Sequence, residues 1–291
     1  MNAQTSLRPV FFLISMVLPL PAQVAHDVTR DQVRLERSNS LVTMTTGDSR
    51  PLHQAVSAIC DEYGIAIDYE DPLYRSSDVV NASESYLKQY HLRLPIKLIK
   101  AHSFTAQFVE SVDADRTLND GESVLLIVLS SFNASGNPGI FHLQNESDGH
   151  LAVVGSVVGM MPSEGPTDAG ILDSRVSIPN GPRNLYEMTK NVLAAVSAKS
   201  GFTVTLGSYP YTVLENTHVT DGGENIPARE LLRRSLNQSG RTIRWFLLYD
   251  ATLNQFVLNF QTVNRTIYDP SGKRDMIPVD VPLHVTTMPP E

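Results

Sequence analysis

Leu185–Ser200, then Gly201, then Phe202-Thr203-Val204-Thr205-Leu206 is the stretch that decides how this chain reads. Leu185, Met188, Val192, Leu193 and Val196 recur at helical spacing and define one apolar helix face. Gly201 supplies the permissive backbone that stops the helix, and the next five residues alternate apolar and polar as a strand does. A second such unit lies upstream: Leu52–Tyr63, then Gly64, then Ile65-Ala66-Ile67-Asp68-Tyr69. The remaining sequence reads as what is needed to cover these two helix–strand units.

The similarity extends past them. Ala55-Val56-Ser57-Ala58 stands beside Ala195-Val196-Ser197-Ala198, offset against the following glycines. Ser131-Phe132-Asn133-Ala134-Ser135-Gly136 aligns with Ser235-Leu236-Asn237-Gln238-Ser239-Gly240, and each precedes a hairpin pattern. Gly121-Glu122 and Gly223-Glu224 sit just before the two corresponding helices. The expected fold class is therefore α+β, two copies of a small helix-on-sheet module with mixed or antiparallel sheets.

At 291 residues, with 42% hydrophobic and 19% charged content, the chain is long enough for two globular units. A formal net charge of −8 without a basic run argues against a nucleic-acid partner. At the N-terminus Arg8 precedes the apolar run Val10–Leu18, and Ala22 and Ala25 follow. That pattern predicts a signal peptide over 1–25, export to the periplasm or beyond, and no stable membrane span after cleavage; an uncleaved anchor is the competing reading. Cys60 is the only cysteine, so no internal disulfide forms, and its place on an apolar helix face predicts a buried thiol.

The expected division is a first repeat over 26–158 with an inserted hairpin near 88–110, a Gly/Pro-rich linker over 159–183, a second repeat over 184–264, and a Pro-rich, loosely ordered tail over 265–291. Within the first repeat, Arg75–Tyr86 reads as loop and the second helix starts near Ser123.

The motifs of the second half resemble the secretin and TonB short N-terminal (STN) domain. Val192-Leu193-Ala194-Ala195-Val196-Ser197-Ala198-Lys199-Ser200-Gly201-Phe202-Thr203-Val204 carries its first-helix pattern, and Pro227-Ala228-Arg229-Glu230-Leu231-Leu232 through Trp245 carries its second. The resemblance covers 184–262 well and 50–158 loosely. It implies a sheet-and-helix module that docks other envelope proteins, with no catalytic residues. The two copies and the lack of an outer-membrane barrel depart from the family, so no role in transport or secretion carries over.

Known catalytic and metal signatures are missing from the sequence, and no cofactor is expected. Three weaker constellations remain. His142 and His150 lie on two strands of one predicted hairpin, where they are candidates for metal ligands, a solvated pair being the commoner arrangement. Asp68, Glu70 and Asp71 cluster at a strand end, as acid–base candidates or as a solvated turn. Arg229, Arg233, Arg234, Arg241 and Arg244 concentrate positive charge on the second helix of the later repeat and its exit. With Trp245 and Tyr249 on one strand face, Arg229, Arg233 and Arg234 form the candidate partner-binding surface, against the plainer reading of a wet helix face and core aromatics. The expected function is a non-catalytic interaction or assembly module for an unidentified envelope protein. A small-ligand-binding protein, or an enzyme with a site between the repeats, is the alternative.

Overall fold

The structure is a computed structural model and describes residues 33–47, 50–91, 95–109, 118–145, 150–156, 169–268 and 274–279. The predicted signal peptide lies outside them. The first half contains β1 (Arg34–Ser38), β2 (Leu41–Thr45), α1 (Pro51–Tyr63), β3 (Ile67–Glu70), β4 (Val79–Asn81), α2 (Ser83–Tyr90), β5 (Lys97–Ile99), β6 (Thr105–Val109), α3 (Leu118–Ala134), β7 (Phe141–Asn145) and β8 (Leu151–Gly155). The second contains β9 (Arg175–Ile178), β10 (Arg183–Asn184), α4 (Leu185–Ser200), β11 (Thr203–Leu206), α5 (Tyr211–Asn216), β12 (His218–Val219), β13 (Gly223–Pro227), α6 (Ala228–Asn237), β14 (Ile243–Asp250) and β15 (Gln255–Thr262). A terminal hairpin, β16 (Asn264–Tyr268) and β17 (Arg274–Pro278), completes the described chain.

The helix boundaries follow local chemistry. Asn184 caps α4 by accepting the Glu187 N–H at 2.7 Å, and Gly201 ends it in the left-handed region at φ 75°. Pro51 opens α1, and Gly64 ends it at φ 64°. In both units a strand follows within three residues of the glycine, at Ile67 rather than the expected Ile65 in the first and at Thr203 in the second.

Both strands go into one sheet. Six strands are hydrogen-bonded in the order β11-β15-β14-β3-β8-β7. In the first half β3 runs parallel to β8, and β8 antiparallel to β7. The second half repeats this, with β11 parallel to β15 and β15 antiparallel to β14. The short strands obey the same rule: β2 pairs antiparallel with β6, and β9 with β13. The mixed α+β class is as expected, but the halves share a sheet, joined where β14 runs parallel to β3.

Strand alternation then sets the layers. Ile67 and Tyr69 of β3, Leu151 and Val153 of β8, and Phe246 of β14 pack in a core with α1 and α3. Trp245, Leu247 and Tyr249 of β14, and Phe256, Leu258 and Phe260 of β15, pack in a core with α4 and α6. Each helix pair covers a different face, so β3 and β14 are buried on both sides.

Several local expectations need correction. β6 does not form a hairpin with the preceding strand: its inward Ala106 and Phe108 join the α1–α3 core and it pairs with β2, while β5 pairs with β4. Part of the polar stretch read as loop forms β4 and α2, and α3 starts at Leu118. Within the segment read as linker, Ile171, Leu172, Val176 and Ile178 are buried in the second core, because β9 is the partner that β13 requires. The start of the tail is tied down as β16 and β17, with Val279 bonded to Thr242 and Val263.

Candidate functional site

The strand Ile67-Asp68-Tyr69-Glu70 alternates apolar and acidic. Its apolar side chains point to α1, which turns Asp68 and Glu70 toward α6, where both are fully buried. A buried carboxylate needs a paired cation or hydrogen bonds, and α6 provides both cations.

Glu70 is held bidentately by Arg229, Nε to Oε1 at 2.9 Å and Nη2 to Oε2 at 2.8 Å. Its Oε1 also accepts from the Trp245 indole at 3.2 Å. The other Arg229 nitrogen, Nη1, donates to Asp173 Oδ1 at 2.8 Å and to Gln144 Oε1. Arg233 donates from Nη2 to Asp68 Oδ2 and from Nη1 to the Ile243 carbonyl at 2.8 Å, with its guanidinium 4.3 Å from the Trp245 ring centroid. Asp68 Oδ1 accepts the Trp245 backbone N–H at 2.9 Å.

Asp71, one residue past β3, closes the other end of the junction. Its Oδ2 accepts from Arg50 Nε at 3.0 Å and from the Tyr249 N–H at 2.9 Å. Its Oδ1 accepts the Tyr69 and Tyr74 hydroxyls at 2.8 and 3.0 Å. Only Phe246–Tyr69 and Leu247–Glu70 are in parallel register between β14 and β3. Asp68 and Asp71 lengthen this short ladder by accepting the N–H groups of Trp245 and Tyr249.

Burial sets the electrostatics. It pushes the Asp68 carboxyl up to about 6, although Arg233 and the Trp245 N–H pull it down. Burial, then the charge of Asp71, pushes the Tyr69 and Tyr74 hydroxyls well above their ordinary value. Burial also raises the Cys60 thiol.

The chain matches no known protein family, no curated protein and no solved structure.

Two of the candidate groups read separately from the sequence thus meet: the acidic cluster and the pair Arg229 and Arg233. The structure moves both arginines from the expected surface to the interior, each 4% exposed, because their flank of α6 overhangs the acidic face of β3. Trp245 and Tyr249 are buried as well, Trp245 completely. The wet side of α6 is Glu230 and Arg234; the Arg234 side chain is 44% exposed and its Nη2 donates to the Gly222 carbonyl at 2.6 Å. Arg241 is exposed. Arg244 lies inside on the opposite face, donating to Gln261 Oε1 at 2.9 Å, with its guanidinium 5.0 Å from the Phe246 ring centroid.

His142 does not meet His150 across the hairpin. The register puts His142 opposite Val154, four positions from His150, or about 14 Å at strand rise. Among the described residues no group of three or more His, Cys, Asp or Glu side chains is placed to hold a metal. Also among them, no helix is long and apolar enough to cross a membrane.

Arg50, Tyr74, Asp173 and Gln144 had no signal in the sequence, because each reaches the cluster from a different element. The available signal was the acid–apolar alternation of β3, a strand with a cationic cover to find. Chemically, all six oxygens of Asp68, Glu70 and Asp71 accept hydrogen bonds from protein donors. The cluster joins β3 of the first half to α6 and β14 of the second.

The surface offers a different feature near the start of α4. Tyr186 stacks on Tyr209 at 5.4 Å between centroids, and Tyr211 lies tilted against Tyr209 at 6.3 Å. Tyr211 is 65% exposed, and Lys190 Nζ sits 5.2 Å from the Tyr186 centroid. Beside them a concavity of about 380 Å³ is lined by Gly181, Pro182, Arg183, Glu187, Lys190 and Asn191.

Proposed function

We propose that this chain is an exported, non-catalytic interaction or assembly module of the bacterial cell envelope, built from two STN-like repeats. The observation that carries the reading is the tyrosine row Tyr186–Tyr209–Tyr211, exposed at Tyr211 and half-buried against the second core at the other two, with Lys190 at its end. Tyrosine supplies large, rigid, amphipathic contact area at low entropy cost, which is why it is enriched where proteins dock. Each ring is fixed by a structured neighbour: Tyr186 by the first turn of α4, Tyr211 by that of α5, and Tyr209 by Ser208, whose N–H and carbonyl bond to Asn259 and Phe260. The repeat reading is supported by the common order and pairing of elements in the two halves, and the non-catalytic reading by carboxylates engaged with protein donors.

The test is a photo-crosslinking residue placed at Tyr211 of the exported full chain, with Leu253, 57% exposed in the β14–β15 turn, as the control position. A defined protein adduct at position 211 that disappears when Tyr209 is changed to Ser is expected. No adduct, or equal adducts at both positions, would sink the reading. A periplasmic small-ligand protein is the second reading, favoured by the polar concavity that shares Lys190 with the tyrosine row.

A further inference from the structure

The concavity beside the tyrosine row is built from two fixed walls. One is the turn Gly181-Pro182-Arg183 before α4. The Gly181 N–H donates to the Thr220 carbonyl at 2.9 Å, and Arg183 braces the turn, Nε donating to the Gly181 carbonyl at 3.2 Å and Nη2 to the Pro179 carbonyl. The other wall is the wet face of α4, where Glu187, Lys190 and Asn191 stand at i, i+3 and i+4 and are all exposed. Asn184 joins the two, accepting the Glu187 N–H at 2.7 Å and donating to Glu215 Oε2 at 2.9 Å. The enclosed volume of about 380 Å³ falls within the range of small-molecule sites, roughly 300–1,000 Å³.

The lining selects a class of ligand. Arg183 and Lys190 are opposed by Glu187, and the Arg183 fork is taken up by the two carbonyls of its own turn, so it does not clamp a phosphate or carboxylate bidentately. Lys190 only donates, Glu187 only accepts and Asn191 does both, a mixture that suits hydroxyl groups, each of them donor and acceptor. Apolar surface adjoins these polar groups. Pro182 lies in the lining, Lys190 Nζ is 5.2 Å from the Tyr186 centroid where the row begins, and Tyr211 at its far end is 65% exposed. A sugar ring has the matching combination, a rim of hydroxyls around C–H faces that pack on aromatic rings.

We propose that this concavity is a saccharide site: it seats one ring of a short neutral oligosaccharide against Glu187, Lys190 and Asn191, and the following units lie along the tyrosine row. The inference rests on the small-ligand reading of the concavity and gives that reading its ligand class. Both walls are held by hydrogen bonds within the chain, so the site is formed before the sugar arrives and little ordering is needed on binding.

The experiment titrates the exported full chain with the trimers of glucose and of N-acetylglucosamine, and with glucuronate and inorganic phosphate as anionic counterparts, followed by amide NMR and calorimetry. Saturable shifts at Lys190, Asn191 and Tyr186 are expected with at least one trimer. Asn191→Ala, an exposed change to the best helix former, should keep the fold and weaken that trimer about tenfold. Tyr211→Ser should weaken the trimer and leave the corresponding single sugar unaffected. No shift at these residues with either trimer at about 10 mM, an anion bound as tightly as the trimers, or an Asn191→Ala variant of unchanged affinity overturns the proposal. Asn191 lies outside the tyrosine row, so the outcomes separate. A chain that forms the protein adduct at position 211 and binds no trimer overturns this inference alone; one that binds the trimer and forms no adduct overturns only the docking reading.

Discussion

The sheet has two kinds of boundary, the internal junction of β14 with β3 and the outer edges at β7 and β11. Side chains occupy backbone hydrogen-bonding groups at both. At the junction those side chains are charged and belong to the opposite half: Asp68 takes the Trp245 N–H and Asp71 the Tyr249 N–H. At the edges they are neutral and come from the helix packed on the same half. Asn133 of α3 accepts the Phe141 N–H at 3.1 Å and donates to its carbonyl at 2.7 Å, and Ser197 of α4 accepts the Val204 N–H at 2.9 Å. A carboxylate that must find a guanidinium forces one half against the other. An amide or hydroxyl satisfied within its own half closes the edge to further strands.

This contrast can be broken at the junction first. Glu70→Ala leaves Arg229 buried without its bidentate carboxylate, and a loss of about 3–5 kcal/mol is expected in chemical denaturation. Replacing both members with apolar residues, Glu70→Leu with Arg229→Met, should recover most of that loss if the pair serves attachment alone. Asn133→Ala should cost less, about 1–3 kcal/mol, because the Phe141 N–H and carbonyl at the edge lose their partner. It should also expose the edge, which sedimentation would register as concentration-dependent self-association. Ser197→Ala is the mildest, about 0.5–1.5 kcal/mol by thermal unfolding, since it removes a neutral hydroxyl from β11. An Asn133 variant as damaging as the Glu70 variant would erase the distinction between the two boundaries.

Charge identity without location is what the sequence reading had of the candidate site. It marked Asp68, Glu70 and Asp71 as a cluster, and Arg229 and Arg233 as a pair one helical turn apart, but assigned the arginines to the surface. Amphipathicity explains the error. Leu231, Leu232 and Leu236 define the buried stripe of α6, so any cation off that stripe reads as wet. Only the overhang of α6 across β3, a contact between residues about 160 positions apart, makes a second flank dry.

What the sequence determined by itself was local and periodic. The helices of the two units, their glycine stops, the strands that follow and both β-hairpins, 141–155 and 243–262, come from spacing and turn chemistry within a short window. Tertiary structure decided how these pieces combine. It merged two expected sheets into one, set the helix pairs on opposite faces and assigned β6 to β2. It also brought the acidic strand of the first half under the arginines of the second. Pairing between distant segments depends on which surfaces remain uncovered after local structure forms, and no residue pattern within either half specifies its partner across the junction.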